Sequence, residues 1–292
     1  MSPDARVGHL AMLLFSVLVA GSFALGVLAA NDIAPMALNA VRFWIATVLI
    51  GALVLTRGGF PAGSFVAPWR YLILAGIFAI YFVLMFEGLK TAPSVSAAAV
   101  FTLTPILSAG FGWLILRQHL TGRMGTALLI GGVGALWVIF RADVQALLRF
   151  EIGRGEAIYF VGVVCHALYT PLVRKLNRGE TALIFSFGTI AGAAVILTAF
   201  GWTDLIATDW ANLPPVVWVT IVYTAVFATA ATATLLQFAA LRLPSSKVMA
   251  YTYLVPAWVM VWDVALGGSV PPLAVVAGVA LTGVALVLLL RD

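Results

Sequence analysis

Charge is what this sequence has least of. Only 9% of its 292 residues are Asp, Glu, Lys or Arg, against about 25% in a soluble globular protein. Cysteine is nearly absent too: Cys165 stands alone inside an apolar run, which excludes a disulfide framework and any cysteine metal spacing. No His-Glu-x-x-His, no pair of buried aspartates and no nucleophile–base arrangement occurs. Nothing resembles a Walker motif, and the run Gly131-Gly132-Val133-Gly134 lies within an apolar stretch with no strand before it. No metal or other cofactor is therefore expected. The net charge is +5, yet no basic tract interleaved with aromatics appears, so nucleic acid is not an expected partner.

What the chain has is apolar surface: 63% of its residues are hydrophobic and its mean hydropathy is +1.11. A soluble body of this size cannot hide that much, so the lipid bilayer must be its solvent. One crossing takes about 20 residues, which leaves room for roughly ten crossings and no sizeable domain outside the membrane. Apolar runs between charges predict helices over 9–30, 35–56, 69–88, 93–116, 122–140, 155–173, 181–200, 214–237, 244–266 and 271–290. Pro35, Pro93, Pro214, Pro244 and Pro271 stand at or near the starts of five of them, where a helix tolerates proline best. The first run follows Arg6 and ends in Leu28-Ala29-Ala30, in the manner of a signal peptide. It is too long for a typical signal core, and the repeat described below gives it a partner.

Basic residues set the expected orientation. With the N-terminus in the cytoplasm, eleven lysines and arginines fall inside and four outside, with Arg42 within a span. This predicts cytoplasmic N- and C-termini. Three of the four outside charges sit in the connecting loop 141–154, where 144–150 reads as a short amphipathic piece on the membrane surface. Trp69, Trp113, Trp137, Trp202, Trp210 and Trp218 fall near span ends and read as interfacial anchors.

The halves of the chain resemble each other. Residues 93–105 read PSVSAAAVFTLTP and residues 244–256 read PSSKVMAYTYLVP, both opening on Pro-Ser and closing on proline twelve positions later. The same offset pairs Gly132 with Gly283, and an offset near 147 lays the first span on the sixth. Each half, 9–140 and 155–290, then holds five spans. Five is odd, so the second copy enters the membrane from the opposite side. Inverted repeats are common in secondary transporters, because two such halves can exchange conformations and so alternate access.

The segment Pro35-x-x-Leu38-x-x-x-Arg42, the paired segments ending in Thr104-Pro105 and Val255-Pro256, and the five-plus-five layout resemble the drug/metabolite transporter superfamily, in particular its EamA-type carriers. The resemblance covers roughly 9–290, and within that branch the chain is similar to bacterial aromatic amino acid exporters. It implies an all-α polytopic fold, ten helices as two inverted five-helix repeats around a central cavity with spans 5 and 10 to one side. It also implies efflux of amino acids from the cytoplasm. The second copy carries Lys247 where the first has Ser96, a departure from strict equivalence.

Polar groups inside lipid mark candidate substrate contacts. In span 6, Tyr159, Gly162, His166 and Tyr169 fall on one stripe. In span 9, Tyr251, Val255, Trp258 and Trp262 fall on another, with Tyr253 turned away. Phe101 and Tyr81 offer stacking faces, and Asn39 and Gln237 offer partners for the two ends of a zwitterion. Each has a structural alternative as a bond between helices. Pro105 and Pro256, near the centres of matching helices, free backbone carbonyls at mid-membrane and read as hinges around a central site.

Arg42 is a partner for a substrate carboxylate, or a residue that snorkels outward or bonds carbonyls at helix ends; the structural role is favoured. Glu87 and Asp263 sit near outer helix ends, outside any central proton relay. His166 is the central group able to change charge near neutral pH. Gly131, Ala135, Ala274, Gly278 and Thr282, spaced in fours, are close-approach faces within one chain or between chains, and no oligomer is required. The expected function is export of a small-molecule substrate, amino acids first. The alternatives are a carrier for drugs or other metabolites, an intramembrane lipid-modifying enzyme, or a channel, for which no filter of repeated carbonyls or charge rings is visible.

Overall fold

The computed structural model describes residues 3–149 and 151–290, and among these every regular element is a helix. Ten are long and apolar enough to cross a bilayer. Spans 1 to 5 are Asp4–Ala29, Pro35–Thr56, Trp69–Leu89, Ser94–Leu116 and Gly122–Ile139. Spans 6 to 10 are Arg154–Leu176, Ala182–Phe200, Pro215–Ala240, Ser245–Ala265 and Leu273–Leu290. Ten crossings bring the start of span 1 and the end of span 10 to the same side, called here the terminal face; the other is the distal face.

Local chemistry sets where these helices begin. Pro35 and Pro215 occupy first-turn positions, and Pro93, Pro214 and Pro244 stand just outside their helices. Spans 5 and 7 are capped by hydroxyls instead, Thr121 accepting from Met124 N and Thr181 from Ile184 N. The loop between the halves folds a short helix, Val144–Arg149, with no buried residue, begun by Asp143 accepting from the N–H groups of Gln145 and Ala146. Phe150, the last residue of the expected amphipathic piece, lies outside the described residues. Trp69, Trp113, Trp202 and Trp218 are exposed near span ends, as interfacial anchors should be.

The pairing of spans is unchanged when the halves are exchanged. Span 3 packs on span 6 as span 8 packs on span 1; span 3 on 7 as 8 on 2; and span 4 on 6 as 9 on 1. The pairs 2–7, 4–9 and 5–10 map onto themselves. This is the contact pattern of two inverted five-helix repeats.

Small residues set the tightest crossings. A Cβ on Gly88 would lie 2.6 Å from Gly155 O, so spans 3 and 6 meet backbone to backbone at the distal face. Spans 5 and 10 meet at Gly134, where a Cβ would lie 2.8 Å from Gly278 O. Gly131 makes room for the Tyr253 ring, and Thr282 donates to Tyr253 O at 2.8 Å. The small-residue faces of spans 5 and 10 are thus used within one chain. These two spans are the least buried of the ten, standing to one side of the bundle.

Spans 4 and 9 are both interrupted by a stretch that ends two residues before the paired prolines. Span 4 is helical over Ser94–Phe101 and again over Thr104–Leu116, with Pro105 in the first turn of the second piece. Span 9 runs through Ser245–Ala250, a 3-10 turn at Tyr251–Leu254 and Val255–Ala265, with Pro256 in the same place. Thr104 donates to Phe101 O, the carbonyl that Pro105 leaves without its backbone donor, and Thr252 donates to Met249 O in the turn before Pro256.

Span 8 has a different irregularity. Between Pro215–Ala225 and Thr232–Ala240 it widens into a π-helical segment, Val226–Ala231. Its buried residues recur as neighbouring pairs every four positions, at 220/221, 224/225, 228/229, 232/233 and 236/237.

Candidate functional site

The centre of the bundle is a closed aromatic cluster drawn from spans 1, 3, 4 and 6. On span 3, Phe78, Tyr81 and Phe82 share a face, three and four residues apart. The Tyr81 ring lies 4.4 Å from that of His166 and 4.6 Å from that of Phe82. Phe101 meets His166 edge-on at 5.2 Å, and Phe78 stacks on Tyr169 at 4.7 Å. The Tyr81 and Tyr159 hydroxyls lie 3.2 Å apart, and Phe23 of span 1 closes the side between Tyr159 and Phe101. Gly162, on the span 6 stripe, brings that helix against Tyr81 O.

Polar ends line this cluster. Gln237 of span 8 donates to the Tyr169 hydroxyl at 2.8 Å and toward Thr189 of span 7 at 3.4 Å. Among the described residues its Oε1 meets no hydrogen-bond partner, and neither do His166 Nδ1, Thr170 Oγ1 or Ser186 Oγ, all buried. An unpartnered polar atom in a water-excluded interior costs about 1–3 kcal/mol. These four atoms belong to residues of spans 6, 7 and 8.

Of the residues the sequence proposes, Tyr81, Phe101, His166, Tyr169 and Gln237 therefore come together. Asn39 lies beyond Phe82, donating to Pro35 O at 2.8 Å and toward Phe82 O at 3.4 Å. Tyr251 and Trp258 form a second group along span 1. The Tyr251 hydroxyl is 3.1 Å from His9 Nδ1, and Trp258 donates to Ser16 at 3.3 Å. His9, Ser16 and Phe23 are seven residues apart, so one stripe of span 1 runs from this group to the aromatic cluster. Tyr253 turns the other way, toward span 5. Trp262 extends the stripe to Tyr223 of span 8, ring centroids 5.4 Å apart.

Arg42 neither snorkels nor reaches a helix end. It is fully buried, with Nε donating to Thr229 Oγ1 at 2.5 Å and Nη2 to Ala228 O at 3.0 Å, both inside the wide segment of span 8. Nη1 lies 3.3 Å from Asn39 Oδ1, and the guanidinium sits 3.9 Å above the Phe82 ring.

Several polar contacts escaped the sequence reading. Glu156, buried at the start of span 6, accepts from Ser96 at 2.7 Å. Ser94 donates to Asp263 at 2.5 Å on the same distal side. On the terminal face Arg70 pairs with Glu180 at 2.5 Å and donates to Leu176 O, while Tyr71 donates to Ser64 O. Ser64, Arg70 and Glu180 line a cleft of about 290 Å³. Burial alone would raise the Glu180 pKa; the hydrogen bond from Arg70, backbone N–H donors and the guanidinium charge outweigh it and hold the carboxyl below its usual range. Phe78 and Phe82 were legible from their spacing to Tyr81. Arg70 and Glu180 were not, because a charge at a span end reads first as a topology signal.

Known proteins were compared with this chain. It is 26% identical over 274 residues to YyaM of Bacillus subtilis (strain 168), named an uncharacterized transporter, covering 93% of this chain and 90% of that protein. A protein of known crystal structure superposes with a TM-score of 0.75 at 19% identity, over 98% of this chain and 96% of the other. The profile of the EamA-like transporter family matches twice, over residues 6–140 and 153–291. With ten apolar helices paired as two inverted halves, and both halves matched, this multi-pass membrane protein belongs to the EamA-like transporter family.

Proposed function

We propose that this protein is a secondary carrier that exports small metabolites, neutral and aromatic amino acids first among them, across the inner membrane by alternating access. The observation that carries the reading is the buried cluster of Tyr81, Phe101, His166, Tyr169 and Gln237, with unpartnered polar atoms beside stacked rings. Ring faces suit an aromatic or apolar side chain. The tyrosine hydroxyls, His166 Nδ1 and Gln237 Oε1 supply both donors and acceptors for a zwitterion. Tyr251 and Trp258, linked to the cluster along span 1, extend the route toward the terminal face. In this reading 9–140 and 155–290 are the exchanging halves and 141–154 joins them. Pro105 and Pro256 are the hinges. Both termini are cytoplasmic, and one chain suffices.

The test is flux in proteoliposomes loaded with radiolabelled phenylalanine or threonine, against empty vesicles and with an imposed pH step. Saturable flux competed by unlabelled amino acids is expected, and its response to the step reports proton coupling. Folded protein that moves no amino acid would overturn the substrate assignment.

A further inference from the structure

We infer that Arg42, seated on the wide turn of span 8, is the anchor for an anionic oxygen group of the cargo, a carboxylate in the first instance. The inference rests on the transporter reading above and names the end of the cargo that this site would hold.

A guanidinium has five N–H donors. Thr229, Ala228 and Asn39 accept three of them, one of these at a long 3.3 Å, which leaves one hydrogen on each terminal nitrogen. Those two nitrogens form the fork that grips a carboxylate with two parallel bonds. No carboxylate of the protein is within ion-pair distance of Arg42 among the described residues. Its neighbours are neutral oxygens and the faces of Phe82, Phe43 and Phe86.

A fully buried cation with no counter-ion is an expensive way to join span 2 to span 8. A neutral side chain of similar size would join them without stripping a charge of water. The seat itself is unusual. Thr229 and Ala228 lie within the π-helical segment, where the backbone ladder is re-spaced and a carbonyl is free to face sideways.

Position makes the site part of the cargo's route. Arg42 touches Phe82, Phe82 touches Tyr81, and Tyr81 touches His166, so guanidinium and aromatic cluster are continuous. Asn39, one turn away, marks the distal end of this column and Gln237 the terminal end. A cargo with its carboxylate on Arg42 would lay its body among Tyr81, Phe101 and His166. In the closed protein, Asn39 Oδ1 and Ala228 O each take one hydrogen of the fork's two nitrogens, and Thr229 steadies the guanidinium through Nε.

The experiment is equilibrium binding to the purified full-length protein, read by tryptophan fluorescence. The probes are 3-phenylpropanoate, L-phenylalanine, L-phenylalaninamide and phenethylamine, which keep the ring and vary the charged ends. Wild type is expected to bind the two carboxylates at least tenfold more tightly than the two amines. Arg42→Gln should lose at least tenfold for the carboxylates and leave the amines unchanged, with partial recovery in Arg42→Lys. Thr229→Val removes the acceptor that steadies the guanidinium through Nε without touching the charge, and should weaken carboxylate binding about threefold while leaving the amines unchanged; it decides the matter if Arg42→Gln does not fold. Equal binding of acids and amines, no binding of any carboxylate, or an Arg42→Lys and Thr229→Val pair that changes melting temperature alone would each overturn the inference. If phenylpropanoate binds through Arg42 but phenylalanine is neither bound nor carried, the amino acid reading falls and the anion anchor stands.

Discussion

The hydroxyl of Ser108 donates to the carbonyl of Ala167 at 2.9 Å, joining span 4 to span 6 one residue from His166. Pro171 lies four residues after Ala167 and has no N–H to give that carbonyl. A proline is therefore tolerated inside a third span, and here the freed acceptor is answered from a neighbouring helix, whereas Thr104 answers Phe101 O within span 4. The bond fixes the turn that presents His166 and Tyr169 to the centre.

Replacing Ser108 by alanine leaves Ala167 O without a partner in a dry interior and should cost about 1–3 kcal/mol. Thermal unfolding in detergent measures it. Pro171→Ala restores the backbone donor, so the same Ser108 substitution should cost less than half as much in that background. Equal costs in both backgrounds would mean that Ser108 acts through something other than this carbonyl.

Gly155→Ala should be among the more damaging conservative changes. Its Cβ would collide with Gly88 O and the Ala92 amide, backbone atoms with nowhere to go. The expected loss is about 1–3 kcal/mol or more, seen as a lower yield of monodisperse protein and a lower melting temperature. Gly76→Ala, whose Cβ meets nothing within 4 Å, is the control and should be neutral or slightly stabilising.

The Arg70–Glu180 pair carries a pH signature with a definite sign. The folded pKa of Glu180 is depressed, so its stabilisation is complete above the unfolded carboxylate value, near 4.3, and is lost as pH falls through the folded value. The melting-temperature difference between wild type and Glu180→Gln should be flat from about pH 8 to pH 5 and shrink below about pH 4. A difference that grew on acidification would contradict the pair.

Tyr169→Phe removes the hydroxyl that accepts from Gln237 and keeps the ring that stacks on Phe78. Flux should fall by roughly tenfold, the worth of about one buried hydrogen bond to the cargo-facing network, with little change in folded yield. Tyr251→Ala should also impair flux. Wild-type flux from well-expressed forms of both would remove this wall from the route.

The spans were legible because lipid imposes a length and an apolar composition on every crossing. The breaks in spans 4 and 9 were legible because proline announces itself at Pro105 and Pro256. Pro171 carried the same signal and was passed over, since it has no counterpart in the other half. The span 6 stripe predicted the cluster because side-chain direction follows helix period. What the sequence hid is backbone chemistry. Arg42 rests on a carbonyl and a threonine of a segment whose π-helical turn depends on packing against span 2. Tyr251 and Trp258 share a stripe as expected, but which neighbour that stripe faces is decided by tertiary placement of span 1.

The buried pairs of span 8 recur every four residues, whereas an α-helix turns through about 400° in four residues, overshooting a full circle by about 40°. From pair 220/221 to pair 236/237 the overshoot would accumulate to about 160° on a straight helix. The upper and lower turns would then face nearly opposite ways. The wide turn at Val226–Ala231 holds in effect one surplus residue and takes back about 100° of it. Span 8 is thus a screw whose thread has been slipped by one tooth, so that Thr220, Thr229 and Gln237 all look inward. Removing one residue from that segment would barely alter composition or hydropathy and, by the same count, would leave Gln237 turned inward on an ordinary α-helix, yet it would take away the wide turn on which Arg42 is seated.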